Sequence, residues 1–98
     1  MVNWMRGELI RVLSAVEEKA NELKMDGFEP DLVLFGKEAY EFLKAQVNEE
    51  FGGEDAVSEI SGLKVKVVEE FGKDAVVIDS KVLGMGLGGA KRIKIIKD

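Results

Sequence analysis

Apolar residues recur at three- and four-residue steps through the first quarter of the chain: Met5, Leu9, Val12, Leu13, Val16, Ala20 and Leu23. That period predicts an amphipathic helix over residues 5–24. Glu8 near its start and Lys24 near its end suit the helix dipole, and Asp26-Gly27 stops it. Trp4 stands just ahead of the helix, placed either to cap the core or to anchor a partner. Pro30 then opens a short apolar run, Asp31-Leu32-Val33-Leu34-Phe35, which reads as a central strand covered on both faces. Gly36 breaks that strand. A second helix is predicted from about Lys37 to Glu50, with Ala39, Tyr40, Leu43 and Val47 inward and Phe42 on or beside that face. Gly52-Gly53-Glu54-Asp55 ends it in a flexible turn.

The remainder alternates with period two. Residues 56–60 are a weak strand candidate. Leu63-Lys64-Val65-Lys66-Val67 presents one buried and one wet face. Gly72-Lys73-Asp74 turns the chain into Ala75-Val76-Val77-Ile78-Asp79, a second buried strand, and the spacing predicts that these two strands pair as a hairpin. Residues 84–89 form a loop, and Arg92 to Lys97 a last strand in which Ile93 and Ile95 alternate with lysines. The order α-β-α-β-β-loop-β predicts an α+β fold. Its mixed sheet has about four strands and carries two helices, and residues 1–98 make one domain.

Composition narrows the chemistry. The chain has neither cysteine nor histidine, which excludes disulfides, thiolate nucleophiles, Cys/His zinc sites and His-based triads. A metal would need oxygen ligands alone, and no cofactor or metal site is expected. The longest apolar run is too short to span a membrane, and the start lacks the apolar segment of a signal peptide. A cytoplasmic protein is expected. Thirteen Glu and eleven Lys against three Asn and one Gln follow the hyperthermophile pattern.

The net charge of −5 is unevenly spread: residues 1–62 carry −8 and residues 63–98 carry +3. A net acidic chain is not expected to bind nucleic acid. Lys91, Arg92, Lys94 and Lys97 read first as a solvated edge strand whose lysines block sheet-to-sheet pairing. The acidic and basic parts either meet between copies, head to tail, or neutralise each other within one molecule.

Gly84, Gly86 and Gly89 satisfy G-x-G-x-x-G after a strand. A dinucleotide site also needs a helix to hold the pyrophosphate and an acidic residue about twenty positions on. Only nine residues follow Gly89, and they read as a strand. The loop, with Met85 and Leu87 at its tips, reads instead as a connector or a contact ordered on assembly. The carboxylate pairs Glu17-Glu18, Glu49-Glu50 and Glu69-Glu70 point in divergent directions, so none is an acid/base pair. Asp79 ends a buried strand and reads as a cap on the following turn, through Ser80 or its own side chain. Tyr40 reads as core. No constellation defines a reaction, and no catalytic residue is expected.

Glu29-Pro30-Asp31-Leu32-Val33-Leu34-Phe35-Gly36, the helix with Tyr40 and Leu43, Ile60-Ser61-Gly62-Leu63-Lys64-Val65, and Ala75-Val76-Val77-Ile78-Asp79-Ser80-Lys81 together carry a resemblance. Over roughly residues 28–83 the chain resembles the A-domain of tailed-phage major capsid proteins of the Hong Kong phage type. It is most similar to the small archaeal A-domain-only, or family four, encapsulins. The strand end Ile78-Asp79 departs from the Gly-Asp, or like acidic residue, that ends this strand in the capsid A-domain, and the arm, extended loop and spine helix of a full capsid protein have no counterpart. The resemblance implies a structural role in a self-associating assembly, with an enzyme of sugar metabolism as cargo or partner.

The favoured reading is therefore a non-catalytic, self-associating protein. Its contact residues would be Trp4, Met85, Leu87, Lys91, Arg92, Lys94 and Lys97. The alternative is a small binding or regulatory module that docks onto a metabolic enzyme as monomer or dimer.

Overall fold

A computed structural model describes residues 2–52, 56–82 and 88–96, leaving aside the side chains of residues 2–6, 50 and 51. The chain forms helix α1 (Val2–Met25), strand β1 (Leu32–Phe35), helix α2 (Lys37–Phe51), strands β2 (Glu59–Ile60) and β3 (Leu63–Val67), a single 3-10 turn (Glu69–Phe71), and strands β4 (Asp74–Ile78) and β5 (Ala90–Lys94). The sheet is mixed, in the order β2-β3-β1-β4-β5. β1 runs parallel to β3 and antiparallel to β4. The fold is α+β, with five strands where about four were expected.

α1 begins earlier than its apolar period requires, so Trp4 lies inside the helix rather than ahead of it. Its end is built locally. The amide of Phe28 donates to the Leu23 carbonyl (2.9 Å) and that of Gly27 to the Lys24 carbonyl (3.0 Å). Gly27 takes a positive φ of 93°. These are the paired bonds of a Schellman motif, and Phe28 packs against the core as its apolar partner.

Leu9, Val12, Val16, Ala20 and Leu23 of α1 and Ala39 and Leu43 of α2 are buried in one cluster with Val33, Phe35, Leu63, Ala75, Val77 and Ile93 of the sheet. Full burial contributes roughly 1.5–3 kcal/mol for each large apolar side chain. Both helices pack on the same face of the sheet. The other face carries no helix among the described residues.

One expected pairing fails. β3 and β4 do not form a hairpin; β1 lies between them. β1 is apolar at every position, so burial favours giving it neighbours on both edges, whereas half-wet β3 tolerates a place near the rim. The chain leaves β3, crosses the end of β1, and enters β4. The Val68 amide donates to the Phe35 carbonyl (2.8 Å), and the Gly36 amide to the Asp74 carbonyl (2.8 Å). The antiparallel partner of β4 on its far side is β5, matched from Asp74↔Lys94 to Ile78↔Ala90. β5 therefore begins and ends earlier than the expected 92–97.

Candidate assembly surface

The register decides which side chains share the helix-free face. Leu32 pairs with Lys64 and Ile78, Leu34 with Lys66 and Val76, and Val76 with Arg92. Leu32, Leu34, Val76 and Ile78 thus line the middle of that face, Leu32 and Leu34 half-buried and Val76 and Ile78 buried within the chain. Lys64 and Lys66 flank it on β3; Arg92 and Lys94 flank it on β5. Arg92 donates to Asp74 at 2.8 Å, and its guanidinium lies 5.2 Å from the centroid of the Phe71 ring. It is thereby fixed in place as a cation–π pair. Lys64, Lys66 and Lys94 are exposed and make no ion pair with any described residue.

The basic strand expected to act as one patch is divided by its pleat. Lys91 pairs across from core residue Val77 and points to the helix side. There its ammonium lies 3.9 Å from both Glu22 and Asp26, at the negative end of α1. Arg92 and Lys94 point the opposite way. Arg11 donates to the Ile95 carbonyl at 2.7 Å, so α1 covers part of the open edge beside β5. Met85, Leu87 and Lys97 lie outside the described residues, as does the Trp4 side chain. Sequence reasoning missed Lys64 and Lys66 as partners of the β5 cations. Their alternation marks a wet face, but nothing local places β3 across two strands from β5.

The acidic residues around the end of β4 form a clasp. Asp79, 4% exposed, accepts hydrogen bonds from the amides of Glu29 (2.8 Å) and Lys81 (3.0 Å). It caps the turn through its own side chain, while Ser80 turns to Asp31. The Ser80 hydroxyl donates to Asp31 at 2.5 Å and the Ser80 amide at 2.9 Å. Lys81 pairs with Glu29, which holds its ammonium above the ordinary value. Every one of these groups is used to join the β1 entry to the β4 exit. Tyr40 has a similar structural role, accepting from the Val57 amide at 2.9 Å. Gly89, with φ of 86°, leads into β5 rather than into a helix, so the glycine motif has no helix to hold a phosphate.

The Ser80 hydroxyl, then its amide, lower the Asp31 carboxyl below its ordinary 3.8. Folded Asp31 therefore binds its proton less readily than unfolded Asp31. Its contribution to stability is present above about pH 4 and is lost as pH falls through the lowered folded value. Urea titrations between pH 5 and 2 are expected to give a shallower acid limb for Asp31→Asn than for the native chain. Identical slopes would show that the Ser80 contact does not discriminate between the protonation states.

Among the described residues no group of acidic side chains is arranged to hold a metal ion. No helix there is long and apolar enough to cross a membrane.

The chain is similar to known proteins. Residues 6–97 match the family model described as "Putative type 4B encapsulin shell protein". A protein of Pyrococcus furiosus bearing that same description is 38% identical over 85 residues, covering 87% of this chain and 72% of that protein.

Proposed function

Because this chain belongs to the family described as "Putative type 4B encapsulin shell protein", we propose that it is a structural building block of a protein shell. It has no catalytic role of its own in this reading. The observation that carries the proposal is the family match across nearly the whole chain. The fold supports it: the acidic side chains near β4 are consumed in structural hydrogen bonds, while the sheet face opposite the helices presents exposed Lys64, Lys66 and Lys94 and carries no helix among the described residues. Trp4, Met85, Leu87, Lys91, Arg92, Lys94 and Lys97 are the proposed contact residues. The cargo or partner is an enzyme of sugar metabolism, as the sequence resemblance implies.

The test is native mass by light scattering after size exclusion, over a range of protein and salt concentrations. A defined particle many times the 10.8 kDa of one chain is the expected result. A monomer under every condition would sink the shell reading and leave a partner-dependent binding module in its place. Enclosure of cargo is tested separately, by whether a sugar-metabolism enzyme from the same cell elutes with the particle.

A further inference from the structure

Among the described side chains, the exposed carboxylates of α2 fall on one stripe. Glu38, Glu41 and Glu49 are exposed, and Ala45 lies exposed between them, a three-to-four-residue spacing that keeps all four on the solvent side. At 1.5 Å per residue, Glu41 and Glu49 are about 12 Å apart along the helix and Glu38 and Glu49 about 16 Å. On the helix-free sheet face, β3 and β5 are separated by β1 and β4. Three strand spacings place the Lys64/Lys66 row about 14 Å from the Arg92/Lys94 row. The two dimensions match. A helix laid across the strands brings Glu49 to one cationic row and Glu38 and Glu41 to the other, with Ala45 over half-buried Leu34. The small side chain at that point permits close approach.

We propose that the helix-free sheet face receives the α2 stripe of a second copy of this chain. The inference rests on the shell reading above and specifies one of its contacts. Both halves of the contact are present on every copy and on opposite sides of the molecule. The interface is therefore heterologous: each copy presents its stripe to one neighbour and its sheet to another, giving a ring when the rotation closes. Charge complementarity favours this occupant. The free cations Lys64, Lys66 and Lys94 find no ion-pair partner among the described residues of their own chain, while the α2 stripe carries three carboxylates. Lys37 sits at the N-terminal end of the stripe, beyond Glu38. Glu59, opposite Lys64, adds one negative charge at the rim of the sheet face.

Charge reversal tests the contact in the full chain. K64E/K66E and E41K/E49K are each expected to raise the concentration for half-association roughly tenfold or more, with unchanged circular-dichroism melting, because all four side chains are exposed. Mixing the two variants one to one is expected to restore association, since each then offers the other a complementary face; so is combining all four reversals in one chain. A native chain that assembles together with reversed variants of unchanged mass overturns this interface and leaves the shell reading standing, with another protein or another face as the occupant. Loss of mass without restoration in the mixture also overturns it. A native chain that never assembles overturns both.

Discussion

Gly36→Ala is expected to destabilise the protein by about 3 kcal/mol, the upper part of the usual overpacking range. For a chain of this size that is a fall in Tm of roughly 12–24 °C. The cause is a backbone collision. A Cβ at residue 36 would meet the amide nitrogen, carbonyl carbon and carbonyl oxygen of Gly72 at less than van der Waals separation, and none of these atoms can rotate away as a side chain does. Gly36 itself has φ −64° and ψ 167°, a conformation open to any residue, so conformational strain contributes nothing. The Gly72 carbonyl also accepts from the Ala39 amide at 3.0 Å, so moving it would loosen the first turn of α2. Gly7→Ala in α1 is the control. Nothing lies within 4 Å of a Cβ there, and the helix-propensity gain of roughly 0.5–1 kcal/mol should raise Tm slightly. Equal melting of the Gly36→Ala chain and the native chain at one protein concentration would show that the β1 and β4 approaches relax freely.

Asp79→Ala is expected to cost about 2–4 kcal/mol. It strands the amides of Glu29 and Lys81, each of which now donates to a charged acceptor, a class of bond that contributes roughly 1.5–3 kcal/mol. Asp79→Asn keeps one acceptor oxygen and turns an NH2 group toward the second amide, so its loss should be intermediate. Urea midpoints at fixed pH and concentration measure both. The alternative role for a carboxylate at a strand end, a catalytic acid, would leave the midpoint of either variant near that of the native chain. An unchanged midpoint would therefore remove the clasp as the reason for the residue.

Much of this was legible in the chain. The period of Leu9, Val12, Val16, Ala20 and Leu23 carries α1, because a helix of any tertiary setting must turn one stripe inward. The unbroken Leu32-Val33-Leu34-Phe35 run carries a central strand, but not the expected cover on both faces: Val33 and Phe35 are buried beneath the helices, while Leu32 and Leu34 on the opposite face are only half-buried. The placement of β3 and β4 is not legible in the chain. Their short connection suits a hairpin locally, and no local signal reveals that β1 is inserted between them. For the same reason the alternation marks Lys64 and Lys66 only as wet and does not place them across the sheet from β5. Lys91, Arg92 and Lys94 read as one basic strand, and the pleat sends Lys91 to the α1 terminus and its neighbours to the opposite face.

The sequence by itself determined the element types, the absence of thiol and imidazole chemistry, the inward faces of both helices and the family resemblance. Each depends on local periodicity, local motifs or composition. Only the tertiary structure decided strand order, the gathering of Lys64, Lys66, Arg92 and Lys94 on one sheet face, the joining of Asp31 to Ser80 and of Asp79 to Glu29, and the need for glycine at residue 36. These depend on contacts between segments distant in the chain. Their energies arise from register and close approach, which a one-dimensional pattern does not contain.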